Sequence, residues 1–283
     1  MEFWLEPIIQ GILLGGLYAL FAAGLSLIFG VMRLVNIAHG DLIVLSSYVA
    51  LTTSVMLGLH PLAAALIVVP VMALAGYGLQ RLLLNRTMGN DILPPLLVTF
   101  GLSVIIQNAL LTVYSADPQK LQAGASLGIG PVSIGVLPLI VFVTAVLVIG
   151  LLQWMFYHTA LGRAFRATSD RQDIVQLMGI NRAHVFALAM ALALAVTALA
   201  GVFLGIRTSF DPAAGGSRLI FGFEAVIIGG LGNIWGTLAG GVIVGVAQTL
   251  GAKIDPGFQV QAGHLVFLII LAVRPRGLFP RID

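Results

Sequence analysis

The chain consists mainly of apolar runs long enough to cross a lipid bilayer. A membrane-spanning helix needs about 20 predominantly apolar residues, whereas a soluble domain carries about a quarter charged residues. Here 9% of the 283 residues are charged and 59% are hydrophobic. We therefore expect an all-α fold, a polytopic bundle of eight or nine membrane segments. The predicted segments lie at 8–32, 41–59, 61–80, 95–114, 136–157, 183–206, 219–231, 233–252 and 258–273.

The segment at 219–231 decides how often the chain crosses. It is short, and glycines at 229, 230 and 232 break its end, as in a discontinuous helix beside a transport pathway. If the N-terminus lies outside and nine segments cross, ten of the fourteen Lys and Arg residues face the cytoplasm. Such an excess is typical of cytoplasmic loops. The count favours nine crossings and a cytoplasmic C-terminus, and eight crossings with one re-entrant element is the alternative.

Small residues recur at every fourth position of three segments, and this spacing predicts helices that pack closely in a bilayer. The three series are Gly11, Gly15, Ala19 and Ala23; Ala189, Ala193, Thr197, Gly201 and Gly205; and Gly232, Gly236 and Gly240.

The stretch 158–184 is the one long polar interruption between apolar runs, so we place it at the cytoplasmic surface. Ser169 followed by Gln172 matches a capping box, and Ile174, Leu177 and Met178 then fall on one helix face. These features predict an amphipathic helix that ends at Gly179, with the next span beginning beyond Asn181. The helix could lie on lipid, pack under its own bundle or dock into a partner. Its mixed charge and few bulky apolar residues favour docking.

Five stretches resemble, in order, the permease subunits of ABC importers in the branched-chain amino-acid family. The first contains Asn36, Ala38, His39, Gly40 and Asp41. Each stretch alone is mostly Gly and aliphatic residues, but together they extend over nearly the whole chain. They are GGLYALFAAGLSLIFGVMRLVNIAHGDL (15–42), VTFGLSVIIQN (98–108), LGRAFRATSDRQDIVQLMGIN (161–181), FEAVIIGGLGNIWGTLAGGVIVG (223–245) and RPRGLFP (274–280).

The resemblance implies a single permease domain over residues 1–283, in the bacterial inner membrane. It implies four partners besides membrane lipid: a homologous second permease, two cytoplasmic ATPase subunits and an external substrate-binding protein. Lys120 and Lys253 are the only lysines, and neither lies in a G-x-x-x-x-G-K-[ST] loop. We therefore expect a chain that is not an enzyme and binds no cofactor, with ATP and Mg on the partner ATPases. The sequence contains no basic run of the kind that would indicate a nucleic-acid partner.

In the coupling loop that the resemblance assigns to 158–184, six residues are candidates for holding or shaping the ATPase contact. Val175 stands where the family pattern suggests a small Ala, so we expect a looser contact there. The candidates are Gly162, Arg163, Arg166, Asp170, Val175 and Gly179.

The candidate pathway residues are Asn36, His39, Asp41, Gln107, Glu224, Gly229 and Gly230. The first three fall in what we predict to be a tight cytoplasmic turn. There Asn36 and Asp41 could cap helix ends while His39 bonds a carbonyl, or all three could form an inner gate.

Glu224 and Gln107 are polar candidates well inside predicted spans. Glu224 could meet a substrate ammonium, or it could pair with Arg218 or Arg207. Gln107, with Asn108, could line the path or bond between helices. The five histidines are scattered along the sequence, so no metal site is expected.

Three functional readings remain beside a branched-chain amino-acid importer. The same kind of permease could move urea, a short amide or an aromatic acid. A stand-alone ion-coupled transporter would need carboxylates in mid-span, and Glu224 is the only clear candidate. An intramembrane enzyme would need motifs that the sequence lacks, such as H-E-x-x-H or a reactive Cys.

Overall fold

The computed structural model describes residues 2–89, 91–122, 128–129 and 134–279. Eleven α-helices lie in this part of the chain. They are α1 (Glu2–Met32), α2 (His39–Leu57), α3 (Pro61–Leu82), α4 (Leu93–Tyr114), α5 (Val136–His158), α6 (Ala160–Asp170), α7 (Gln172–Leu177), α8 (Arg182–Arg207), α9 (Gly215–Gly229), α10 (Ile234–Ile254) and α11 (Gln259–Val273).

Eight helices of the described part are long and apolar enough to cross a membrane, and this confirms the predicted all-α membrane bundle. The 15-residue α9 is not among them. Between α4 and α5, two strands of two residues each, β1 (Gly128–Ile129) and β2 (Ile134–Gly135), form an antiparallel pair. This small hairpin belongs to a loop and leaves the class of the fold unchanged.

The two ends of the described chain lie at opposite ends of the bundle. The Ser169 hydroxyl in α6 donates a hydrogen bond to Gly30 O near the end of α1. Gly232, between α9 and α10, faces Gly30 as well, and Gly277, beyond α11, packs against Gly230. The ends of α1, α9 and α11 therefore lie together at the end of the bundle that holds α6, which we call the coupling end. The start of α1 lies 31 residues away, at the far end.

Two helices begin inside the bundle, after a segment that is not α-helical. After α1 ends at Met32, residues 33–38 return into the bundle before α2 begins at His39. After α8, Phe210 pairs with Gln119 at the far end, and a 3-10 helix (Pro212–Ala214) leads into α9, which begins at Gly215. The 15-residue α9 is too short to cross a membrane alone.

Helices α1 and α10 pack closely along their length, and glycine makes this close packing possible. A Cβ atom added to Gly241 would lie 2.6 Å from Gly15 O and 2.7 Å from Ala19 N. The small-residue series predicted in the first segment therefore faces α10. The predicted series in α10 has another neighbour, because Gly236 and Gly240 pack against α9.

The outer helices present large apolar side chains to their surroundings. Among them are Leu66 on α3, Leu147 on α5 and Leu268 on α11, which are 57% to 80% exposed. In a membrane protein such faces contact lipid tails or another membrane chain. The core lies on the inner faces of α1, α2 and α8.

Candidate functional site

The first turns of α2 and α9 meet inside the bundle, at a place we call the junction. Gly40 and Gly215 are in such close contact that a Cβ on Gly40 would overlap the carbonyl oxygen of Gly215. A Cβ on Gly215 would overlap the carboxylate of Asp41. Asp41 therefore lies beside the N-termini of two helices, where unpaired N–H groups favour a negative charge. The Asp41 carboxylate also accepts a hydrogen bond of 2.5 Å from Ser103 of α4.

Asn36 and His39 hold the segment that leads into the junction. His39 Nε2–H donates to Phe21 O at 2.8 Å, and Asn36 Oδ1 accepts from Ala38 N at 3.1 Å. Both side chains are 0% exposed. Phe21 lies eleven residues before the end of α1, which is roughly 16 Å at the rise of an α-helix.

The prediction of a tight cytoplasmic turn at 36–41 is therefore wrong, because the segment lies deep in the bundle. Of the predicted alternatives, the bond from His39 to a carbonyl is confirmed. Helix capping is not, since the N-cap residue of α2 is Ala38 and no side chain caps that helix. Asn36 instead closes a local turn through Ala38 N.

The polar face of α4 continues away from the junction. Thr99 accepts a hydrogen bond from Ile37 N at 3.3 Å, and Ser103 bonds to Asp41. Gln107 is half-buried, one turn beyond Ser103 on the same face. Asn108 is exposed and donates to Val104 O of its own helix, so the predicted bonding between helices does not hold for this amide.

Glu224 of α9 pairs with His264 of α11, and with neither of the arginines considered from the sequence. Its carboxylate is 2% exposed and contacts Nδ1 of His264 through one oxygen. The His264 ring stacks on Phe221, with 6.1 Å between ring centroids. Arg207 and Arg218 lie near enough to interact electrostatically with Tyr18, whose hydroxyl donates to Gln248 Oε1 at 2.6 Å. These side chains form a polar cluster between α1, α8, α9, α10 and α11.

Gly229 and Gly230 close the end of α9 where the chain turns into α10. A Cβ on Gly229 would overlap the carbonyl of Gly236, and Gly230 has a φ of 97°, which favours glycine. Leu278 N donates to Ile228 O at 2.8 Å, so the C-terminal segment covers this turn. Both glycines are buried at the coupling end, and their place in a pathway stays a prediction.

The coupling loop contains two helices, α6 and α7, separated at Arg171, where we predicted one. The predicted helix, from Ser169 to Gly179, corresponds mainly to the shorter α7, and α6 was not predicted. The capping box is wrong, because Ser169 lies inside α6 and bonds to Gly30 O at 2.6 Å. Thr159 caps α6 instead, accepting a hydrogen bond from Gly162 N at 3.0 Å. The predicted start of the next span is confirmed, since the Asn181 side chain caps α8.

Gly162 and Arg166 both face the end of α5. A Cβ on Gly162 would overlap Met155 O and Phe156 O, so this glycine permits the sharp reversal between α5 and α6. The Arg166 guanidinium donates to Phe156 O and lies 4.9 Å above the Tyr157 ring. Arg163 and Asp170 are exposed.

The apolar surface of the coupling loop lies at the end of α7. Leu177 is 88% exposed and Met178 is 74% exposed, while Val175 is 3% exposed and packs inside its own chain. Gly179 follows with a φ of 79°, as expected for the residue that ends a helix. The Ile174 side chain lies outside the described residues. Any effect of Val175 on a partner must therefore be transmitted through the position of α7.

Three residues of the site were missed from the sequence. His264 is an ionisable residue in the last span, which is by itself a signal of function, and it is the partner of Glu224. Ser103 lies four residues before Gln107 and could have been found from that spacing. Gly30 has no local signal that predicts its bond to Ser169. No group of three or more His, Cys, Asp or Glu residues within the described ranges could hold a metal ion.

Comparisons with known proteins agree with this architecture. Residues 8–273 match the family described as "Branched-chain amino acid transport system / permease component". The permease protein BraD of a high-affinity branched-chain amino acid transport system, from Pseudomonas aeruginosa, is 31% identical over 98% of this chain and 96% of its own. The corresponding Escherichia coli protein LivH is 28% identical over 99% of this chain and 96% of its own. The fructose import permease protein FrcC of Rhizobium meliloti is 30% identical over 84% of this chain and 69% of its own.

A solved structure has the same fold. PsaBC from Streptococcus pneumoniae, in complex with Fab, superposes with a TM-score of 0.51 over 95% of this chain and 92% of that chain, at 15% identity. That likeness concerns the fold alone. The family match extends over nearly all of the membrane segments described above. The chain is therefore a multi-pass membrane protein of the family of permease components of branched-chain amino acid transport systems.

Proposed function

We propose that this chain is the permease subunit of an ABC importer that moves branched-chain amino acids into the cell. In this proposal it forms half of a membrane channel with a homologous permease, two cytoplasmic ATPase subunits hydrolyse MgATP, and an external binding protein delivers substrate. The family match and the names of its relatives support the substrate class. The positive-inside count supports a coupling end that faces the cytoplasm.

The observation that carries the proposal is the surface formed by α6 and α7. Leu177 and Met178 are large apolar side chains, almost fully exposed beyond the membrane spans. Such side chains are typical of the buried centre of a protein interface. The helix below them is not free to move alone, since Ser169 connects α6 to the end of α1. A partner that moves this surface would therefore also move a helix of the membrane bundle.

We place the translocation pathway along the junction and the polar face of α4. Asp41, Ser103 and Gln107 present polar groups at membrane depth, and the two helix N-termini that meet at the junction resemble the broken helices that surround transporter binding sites. Asn36 and His39 are fully buried and act as supports of the junction. Alternating access then requires α2 or α9 to shift relative to α4.

The experiment compares two exposed methionines at opposite ends of the bundle. Met178→Asp adds a charge to the proposed ATPase surface, and Met56→Asp adds one at the far end, where Met56 is 78% exposed. The chain is tagged, purified from native membranes, and assayed for ATPase activity in the purified material. We expect Met178→Asp to lower this activity about tenfold, the loss typical of a disrupted interface anchor. Met56→Asp should retain it.

If the material purified with the two variants has the same ATPase activity, the proposed ATPase contact at α7 is contradicted. Uptake by the purified lone chain, without any ATPase, would favour an ion-coupled transporter, the alternative for which Glu224 is the observation. The substrate is identified by a thermal-shift screen of the binding protein against leucine, urea, short amides, aromatic acids and fructose. The similarity to a fructose permease shows why that screen is needed.

A further inference from the structure

A cavity of about 460 Å³ with a mixed polar and apolar lining lies at the coupling end, between α1, α5, α6 and the turn from α9 to α10. One water needs only about 10–15 Å³ of such volume, so the cavity has room for a larger group. The polar side chains that line it are Ser26, Gln153, Arg166 and Asn233.

The lining selects for an anion. Arg166 carries a permanent positive charge and five N–H donors, of which one contacts Phe156 O. The Ser26 hydroxyl is buried and has no hydrogen-bond partner among the described residues. Gln153 adds a half-buried amide. The described lining contains no Asp or Glu, so a cation would find no compensating charge, whereas a phosphate would find a guanidinium and several donors.

Exposed aromatic side chains of α5 flank the cavity. Tyr157 lines the cavity and is 60% exposed, and Trp154 beside it is 56% exposed. Tyr and Trp at the end of a span are typical of the membrane interface, at the level of the lipid headgroups. Above them, Leu147 and Leu151 continue the exposed apolar face of α5. A lipid whose tails follow α5 would therefore place its headgroup at the cavity.

We infer that this cavity binds the phosphate group of an anionic phospholipid, with Arg166 as its principal ligand. Basic pockets between membrane helices on the cytoplasmic side are known to hold anionic headgroups. Because Arg166 is on α6, the bound lipid would connect α5 to the helix that also contacts Gly30. The inference does not depend on the transported substrate or on the ATPase contact.

The test measures lipid binding by the purified full chain in detergent, using native mass spectrometry with short-chain phosphatidylglycerol and phosphatidylcholine. We expect phosphatidylglycerol to bind more tightly. Arg166→Gln should weaken its binding about tenfold, as expected for the loss of a charge-assisted hydrogen bond, and Arg166→Lys should retain most of it. Arg81→Gln is the matched control, because Arg81 is an exposed cation on α3, outside this cavity.

Since Arg166 also bonds to Phe156 O, its loss could disturb the fold. Gln153→Leu keeps that bond and removes only an amide of the cavity, and it should also weaken phosphatidylglycerol binding. Equal binding of the two lipids would overturn the inference, as would equal binding by the Arg166→Gln and Arg81→Gln variants. Displacement of the lipid by an equal concentration of inorganic phosphate would assign the cavity to soluble phosphate and overturn the lipid assignment.

Discussion

The Ser169 hydroxyl donates a 2.6 Å hydrogen bond to the carbonyl oxygen of Gly30, and this bond joins α6 to the end of α1. The two residues are 139 positions apart in the sequence. Ser169 is 8% exposed, so water competes little for the bond. The contact gives the coupling loop a direct attachment to the longest helix of the bundle.

Ser169→Ala should weaken the coupling of ATP hydrolysis to transport without preventing assembly. Loss of the bond should destabilise the fold by about 0.5–1.5 kcal/mol, and uptake per ATP hydrolysed in proteoliposomes should fall. Thr168→Val is the control, because the Thr168 hydroxyl bonds only to Ala164 O of its own helix. Unchanged coupling in Ser169→Ala would show that α6 moves α1 by other contacts.

His39→Leu should destabilise the protein by about 0.5–1.5 kcal/mol, because it removes a buried hydrogen bond to the Phe21 carbonyl, which keeps only its bond within α1. His39→Gln restores an N–H donor and should recover part of the loss. The free energy of unfolding in mixed detergent micelles measures both. The exposed His158 supplies the control, and His158→Leu should have little effect. If a substitution of His39 changed the substrate preference but left the free energy of unfolding unchanged, it would instead support the inner gate formed by Asn36, His39 and Asp41.

Glu224 and His264 should behave as a coupled pair in a double-mutant cycle. His264→Leu leaves the Glu224 carboxylate buried without a partner, at a cost of about 1–3 kcal/mol. Glu224→Leu with His264→Leu should cost less than the sum of the single changes, since leucines suit this depth of a membrane bundle. We expect a coupling free energy of about 0.5–3 kcal/mol. Additive changes would mean that the two side chains act independently.

Gly229→Ala should destabilise the turn between α9 and α10 by about 1–3 kcal/mol, since its methyl group would overlap the carbonyl of Gly236. Gly150→Ala is the matched control, because nothing lies within 4 Å of a Cβ at that position of α5. Thermal unfolding of the two purified variants measures the difference. If the two variants unfold at similar midpoint temperatures, α9 and α10 can move apart with little loss of stability.

The all-α membrane bundle could be predicted because helix content depends on local composition. Apolar runs of span length and the distribution of arginine are visible without any knowledge of packing. Packing at the junction was not visible, because it depends on an extended segment that brings His39 to Phe21, and nothing local indicates that return. The predicted capping box at Ser169 is wrong for a related reason. The Ser169 hydroxyl bonds to Gly30 O, a partner 139 residues away that a local sequence pattern cannot reveal.

Long-range side-chain pairs were the least predictable part of the site. Glu224 was recognised as exceptional from its depth, but its partner is 40 residues away in another helix, and two arginines nearer in sequence looked equally suitable. Arg166 was a candidate for the ATPase contact because it lies in the coupling loop that the family resemblance implies. The structure instead directs its guanidinium toward Phe156 and Tyr157.

The positions of Glu2 and Gly277 at opposite ends of the bundle have a consequence for protein engineering. In the proposed orientation, with the coupling end in the cytoplasm, a tandem gene fusion of this chain to a second copy of itself could not use a short flexible linker. The linker would have to recross about 30 Å of hydrocarbon. Such a single-chain dimer would therefore need an added apolar helix between its halves, whereas separate chains can pair side by side without one.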